Sequence, residues 1–228
     1  MAMFRNLFFD FDGTLADSSE GIYESFKNSC FELNLEPISI FEFKKFIGPP
    51  ISKILNKIYP KLSSKKIFEF KSYFRSDYDN KNFRLVSWYP GVIESIPKFA
   101  SSGYFSSINL ITNKPTKPTI ALLKSANLFK YFNNVYGIDY KSFKGISTNS
   151  FLDKEEAIKF ALKSQKIRNK NAIYIGDTNS DLLASKNNDI AFIAVKYGFH
   201  LWQIGEISRA DYEISSFCEL NKILFELI

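Results

Sequence analysis

Leu7-Phe8-Phe9 is a short unbroken apolar run that stops at Asp10-Phe11-Asp12-Gly13-Thr14, where polar and turn-forming residues take over. Runs of this length and continuity fit a strand buried on both faces, as in a parallel sheet. From Ser18 to Tyr78 the spacing becomes helical. Ile22, Phe26, Cys30 and Leu33 share one face, and Ser39 and Glu42 stand at capping-box spacing before a helix through Phe46. Ile51, Ile54, Leu55 and Ile58 make another face, and Ile67, Phe70 and Phe74 a further one, with Pro37, Gly48-Pro49-Pro50 and Pro60 as punctuation. No strand-like run interrupts this stretch, so residues 18–87 are expected to form a helical insertion with Phe26, Phe41, Phe46, Phe70 and Phe74 packed on its helix faces.

After Trp88-Tyr89-Pro90-Gly91 the pattern alternates. Helical spacing covers Val92 to Ala100, Pro118 to Ala126, Lys154 to Lys163, Asp181 to Lys186 and Phe217 to Leu227. Strand-like runs cover Ser107 to Ile111, Asn134 to Gly137, Ala172 to Ile175 and Ile190 to Val195. The alternation predicts an α/β fold, a Rossmann-like parallel sheet flanked by helices, built from residues 1–17 and 88–228 around the inserted helical unit.

Composition narrows the class. Of 228 residues 45% are hydrophobic and 24% charged, which supplies a full core and fits neither a disordered chain nor a membrane-embedded one. The 24 Phe outnumber the 12 Tyr, so the aromatic surplus reads as core filler rather than as a binding surface. A net charge of +6 favours anionic partners in general, whether nucleic acid, acidic membrane or small phosphorylated molecules. Cys30 and Cys218 are too far apart in sequence for a CxxC pair and make no disulfide framework, which points to a reducing, cytoplasmic compartment. The N-terminal residues lack the long uncharged segment of a signal peptide, and no apolar run approaches the ~20 residues that span a bilayer.

In a parallel sheet, ligands bind beyond the carboxyl ends of the strands. The residues directly after the apolar strands are Asp10 and Asp12, Thr112-Asn113-Lys114, and Asp177 with Asp181. If the chain leaves strand geometry at Phe11, Asp10 and Asp12 can face one space. Carboxylates gathered at one point repel one another unless a cation sits among them, and hard oxygen ligands suit Mg²⁺. A cation beside a carboxylate suggests phosphoryl chemistry. Asp10 could attack phosphorus while Asp12 protonates the leaving oxygen and then activates water, with Thr112, the backbone at Asn113 and a lysine supplying donors.

These residues resemble the motifs of the haloacid dehalogenase-like superfamily. Asp10-Phe11-Asp12-Gly13-Thr14-Leu15-Ala16-Asp17-Ser18 resembles its first motif, Ile111-Thr112-Asn113 its second and Gly176-Asp177-Thr178-Asn179-Ser180-Asp181 its fourth, in the family's order along essentially the whole chain. The helical insertion takes the position of the family's C1 cap. The resemblance implies Asp10 as nucleophile and metal ligand, and Asp12 as acid and base with its backbone carbonyl on Mg²⁺. It implies Thr112 and Asn113 as phosphate holders, Asp177 as a metal ligand and Asp181 as a direct or water-mediated one. The third motif is a single lysine, met by Lys154 at the start of a helix, where a cation is otherwise disfavoured; Lys144 and Lys141 are its rivals. Asp181 could also cap the helix it opens, Asp17 reads as the cap of the first inserted helix, and His200 reads as structural.

Dehalogenases of the superfamily lack the second aspartate, so Asp12 implies phosphate ester hydrolysis or transfer. Phe46-Ile47-Gly48-Pro49-Pro50-Ile51 and Tyr89-Pro90-Gly91-Val92 resemble the phosphoglycolate phosphatase type, with Lys45 or Lys53 placed to read a substrate anion. A 5′-nucleotidase, a sugar-phosphate mutase of the β-phosphoglucomutase type and a non-catalytic phosphate-binding module are the alternatives. The expected partner is a small phosphorylated metabolite, with neither nucleic acid nor membrane involved, and the chain is expected to act as a monomer or homodimer.

Overall fold

A computed structural model describes residues 4–139, 151 and 153–226. The chain begins with β1 (Asn6–Phe9) and β2 (Ala16–Asp17), followed by α1 (Ser19–Glu32), α2 (Ile40–Lys44), α3 (Ile51–Ile58), α4 (Ser64–Asn80) and β3 (Ser87–Trp88). It continues through α5 (Val92–Ser101), β4 (Ser107–Thr112), α6 (Thr116–Ser125), β5 (Asn134–Gly137), α7 (Lys154–Ser164) and β6 (Ala172–Gly176). It ends with α8 (Asn179–Asn187), β7 (Ala191–Val195), α9 (Ile204–Ile207), β8 (Tyr212–Ile214) and α10 (Glu219–Glu226). Two compact units result, one of residues up to Ala16 and from Trp88 onward, the other Asp17–Ser87. Among the described residues no helix is long and apolar enough to cross a membrane.

The first unit holds a six-stranded parallel sheet in the order β5-β4-β1-β6-β7-β8. Phe8 of β1 pairs with Asn109 of β4 on one side and Tyr174 of β6 on the other. Every residue of β1, β4 and β6 is buried, which is why these strands are mostly apolar, with Asn6, Ser107, Asn109 and Thr112 as buried polar exceptions. The chain builds outward from β1 to β4 and β5, then returns to the other side of β1 and builds outward again from β6. Such a reversal opens a crevice at the carboxyl ends of the strands where it occurs, here beside β1 and β6. The α/β architecture predicted from the alternation is the one observed.

The second unit is a small helical body centred on Phe26, whose ring lies 4.3 Å from Phe43, 5.7 Å from Phe70 and 6.4 Å from Tyr59. The carboxylate of Asp17 accepts the backbone N–H of Ser19 at 2.8 Å, satisfying one of the orphan donors at the start of α1.

Two sequence expectations need correction. Phe41 does not pack, being 81% exposed, and Phe46 is only half-buried, whereas Phe43 is fully buried. The helix α2 has five residues and buries one narrow face, so of two aromatic residues two positions apart it can bury only one. The helix α8 begins at Asn179 rather than Asp181. Thr178 is its N-cap and Asp181 its third residue, and the two side chains close a reciprocal capping box. β8 also escaped the sequence reading, because a three-residue edge strand leaves almost no alternation to detect.

Candidate active site

β1 ends at Phe9, and Asp10 continues the ladder through its N–H to the carbonyl of Ile175 at 3.0 Å. The chain then bends. Phe11 turns into the interior, edge-on to Trp88 with centroids 5.5 Å apart, which leaves the carboxylates on either side free of the apolar layer. Gly13 follows at φ +82, a conformation that favours glycine, and a Cβ there would run into the carboxylate of Asp177.

Asp177 follows β6 and is wholly buried. Its oxygens accept the Phe199 N–H at 2.8 Å and the Thr14 hydroxyl at 3.4 Å. Lys154, the first residue of α7, is also buried; Asp153 precedes it as N-cap and accepts the Glu156 N–H, which ties off the helix start without Lys154's side chain. The Lys154 ammonium lies 2.6 Å from Asp10 Oδ2 and 2.5 Å from Asp181 Oδ1. The other oxygen of Asp181 accepts from the backbone and hydroxyl of Thr178 at 3.0 and 2.6 Å. Thr112 ends β4, buried, and its hydroxyl oxygen accepts the Lys114 N–H at 3.2 Å, leaving its hydrogen for another acceptor. Asn113 follows it at the mouth of β4.

Oxygens of Asp10, Asp177 and Asp181 lie within 4.8 Å of one another, all three residues buried. Burial pushes Asp10 up from 3.8 to about 7, with Lys154 opposing the shift and Asp181 and Asp12 adding to it. Burial likewise raises Asp177 well above the usual carboxylate range, reinforced by Asp10 and Asp181. For Lys154 burial is the largest influence and lowers it, but Asp10 and Asp181 outweigh burial, so the ammonium holds its proton more tightly than usual. One lysine facing three buried carboxylates is too little counter-charge, and an all-oxygen cluster of this kind fits a hard divalent cation. The structure thus gathers Asp10, Asp177, Asp181 and Lys154, with Asp12 close enough to Asp10 to repel it. Lys144 and Lys141 lie outside the described residues.

Three features went unrecognised in the sequence. Gly198 packs so closely that a Cβ would fall 2.6 Å from the Gly13 carbonyl and into Asp177. The Phe199 N–H that steadies Asp177 belongs to the same loop, and a backbone donor has no sequence signature. Lys114 stands beyond β4 as the sequence places it, but its burial against Asp12, at 2.9 Å, was not foreseen, since its type suggests a surface residue. Gly198→Ala is expected to cost about 1–3 kcal/mol through overpacking, lowering Tm by several degrees and weakening any cation-dependent activity; a melt and an assay check it. His200 pairs with Glu206 at 2.9 Å and meets the edge of Trp202, a local structural arrangement.

Comparisons with known proteins place the chain in a family. A family model described as haloacid dehalogenase-like hydrolase matches residues 7–195. A 5′-nucleotidase of Pseudomonas aeruginosa is 28% identical over 199 residues, covering 86% of this chain and 84% of that protein. A phosphoglycolate phosphatase of Vibrio vulnificus is 24% identical over 223 residues, 95% of this chain and 94% of that protein. Among solved structures, a predicted phosphatase from Clostridium acetobutylicum is 28% identical with a TM-score of 0.83, covering 98% of this chain and 99% of that one.

Proposed function

The chain belongs to the haloacid dehalogenase-like hydrolases and is a phosphatase of that family, and from that premise we propose that it hydrolyses the phosphomonoester of a small metabolite, in the manner of a phosphoglycolate phosphatase, through an aspartyl-phosphate on Asp10. The observation that carries this reading is the meeting, beyond the carboxyl end of β1, of a buried carboxylate, a second carboxylate two residues on and the buried lysine that opens α7. Asp10 is the nucleophile, its oxygen forming a bond to phosphorus as the ester P–O bond breaks. Asp12 delivers a proton to the departing oxygen, then takes one from the water that attacks the aspartyl-phosphate, releasing phosphate and restoring Asp10. The Thr112 hydroxyl and the Asn113 backbone hold the phosphoryl oxygens, and Lys154 balances charge on Asp10.

Asp10, Asp177 and the Asp12 carbonyl would hold Mg²⁺, which supplies counter-charge to the transferring group. Both oxygens of Asp181 already accept hydrogen bonds, so its part is to anchor Lys154 and the first turn of α8 more than to grip the cation. Because the folded pKa of Asp10 exceeds its unfolded value, the metal-free protein holds extra protons between about pH 4 and 7, and its stability falls as pH rises across that window. A cation favours the ionised cluster, so the gain in Tm on adding excess Mg²⁺ should be small at pH 5 and larger at pH 8. Equal gains at both would remove these carboxylates from the ligand set.

Phosphoglycolate, nucleoside 5′-monophosphates and sugar phosphates are the substrate classes to compare. A second reading, 5′-nucleotidase, is supported by the 28% identity to the P. aeruginosa enzyme. Phosphate release from a panel of monoesters, with Mg²⁺ and with chelator, tests both. Chelator-sensitive release with phosphoglycolate among the best substrates is expected, a preference for nucleotides would favour the second reading, and no release from any ester would overturn both.

A further inference from the structure

We propose that Lys114 is a positioning residue for Asp12: its ammonium holds Oδ1, so that Oδ2 is the oxygen that carries the proton to the leaving group. The inference rests on the acid–base reading of Asp12, which it deepens.

The pair is not a surface ion pair of the kind that contributes little. The Lys114 side chain is 2% exposed and that of Asp12 18%, with Nζ 2.9 Å from Oδ1. Lys114 is also held from several sides. Its N–H donates to Thr112 Oγ1 at 3.2 Å and its carbonyl accepts the Ile138 N–H at 3.4 Å, fixing the backbone at both ends. Pro115 stiffens the next position, and the backbone and hydroxyl of Thr116 bind Asp139 at 2.7 and 2.8 Å. The ammonium rests 5.4 Å from the ring centroid of Phe11, itself fully buried, so the cation is seated on the residue between the two reactive carboxylates.

This arrangement does what a general acid needs. A carboxyl group free to rotate presents either oxygen in several directions, whereas one pinned at Oδ1 presents Oδ2 in one. In the forward step the Oδ2–H proton passes to the ester oxygen as the P–O bond breaks, and the carboxylate left behind is already paired with the Lys114 ammonium. In the second step the same oxygen takes a proton from water. A lysine that instead bound the phosphoryl group directly would act on every substrate alike, and that difference defines the test.

The experiment measures kcat/KM, which reports steps up to departure of the alcohol, for an alkyl phosphate and for 4-nitrophenyl phosphate. Nitrophenolate leaves without a proton and an alkoxide does not. Asp12→Asn is expected to lower the alkyl-to-aryl ratio about 100-fold, Lys114→Met about tenfold, and Lys114→Arg should restore it to within about threefold of wild type. Competitive inhibition by inorganic phosphate should be unchanged in Lys114→Met. If Asp12→Asn shifts the ratio and Lys114→Met does not, Lys114 is not positioning the acid and the proposal fails while the reading of Asp12 stands. Weakened phosphate inhibition with equal losses on both substrates would make Lys114 a phosphate holder and also overturn it. If Asp12→Asn leaves the ratio unchanged, the acid–base reading fails and takes the proposal with it. Should Lys114→Met not fold, Lys114→Gln keeps the length and a donor and is read the same way.

Discussion

Asp10→Asn is expected to reduce turnover at least about 10⁴-fold while changing the stability of the fold little. The two effects differ in size because the charge that makes Asp10 a nucleophile is also costly to bury. Asp10 is almost wholly buried, and burial is the largest of the influences that lift it to about 7, with Asp181 and Asp12 adding to it and Lys154 opposing it. Asparagine keeps the shape and removes one of three clustered negative charges, a relief offset by the loss of one acceptor, since its single oxygen can serve only one of the Phe11 N–H and the Lys154 ammonium. What it cannot do is form an acyl phosphate. Beryllium fluoride with Mg²⁺, a mimic of the phosphorylated carboxylate, should raise the Tm of the wild type and leave Asp10→Asn unmoved. A variant that turned over substrate within tenfold of wild type, or that kept the beryllium fluoride response, would sink the nucleophile assignment.

Much of the site was legible because strand burial forces a sharp change of residue type at the strand ends. Phe9 to Asp10, Ile111 to Thr112 and Gly176 to Asp177 are each a step from a fully buried strand to the groups that stand beyond it. Lys154 was legible for a different reason, since a lysine in the first turn of a helix opposes the macrodipole and must be held by something else. Lys114 was legible as one of the residues beyond β4, but its ion pair was not, because its burial is created by Asp12, 102 residues earlier. Gly198 and the Phe199 N–H were invisible for the same reason, as their value lies in how close a loop backbone comes to Asp177. In the helical unit, periodicity marked Phe26, Phe70 and Phe74 as core but could not choose between Phe41 and Phe43, since α2 is too short for its period to be read.

The second large effect should come from Lys154→Met, and it concerns stability as much as activity. The Lys154 ammonium is paired to both Asp10 and Asp181, and all three side chains are at most 5% exposed. Removing one partner of a buried ion pair leaves uncompensated charge and costs about 3–5 kcal/mol, or roughly 6–20 °C in Tm for a chain of this size. The cost should depend on pH in a defined direction. Lys154 stays protonated throughout the range from pH 5 to 8, because its carboxylate neighbours hold its proton more tightly than usual. Its loss therefore acts through the carboxylates. Without it Asp10 rises further above 7, so the folded variant binds still more protons than the unfolded chain, and its stability declines more steeply with pH than that of the wild type. Melts should place Lys154→Met near the wild type at pH 5 and far below it at pH 8. Adding Asp181→Asn removes one of the stranded charges and should recover part of the deficit at pH 8, while activity stays lost because Asp10 has no fixed counter-charge during transfer. Lys141→Met and Lys144→Met should leave both stability and turnover within a few-fold of wild type if Lys154 alone fills the role. A Lys154→Met deficit that was the same at both pH values would mean that the lysine is valued for packing rather than for charge, and the electrostatic account of the cluster would have to be abandoned.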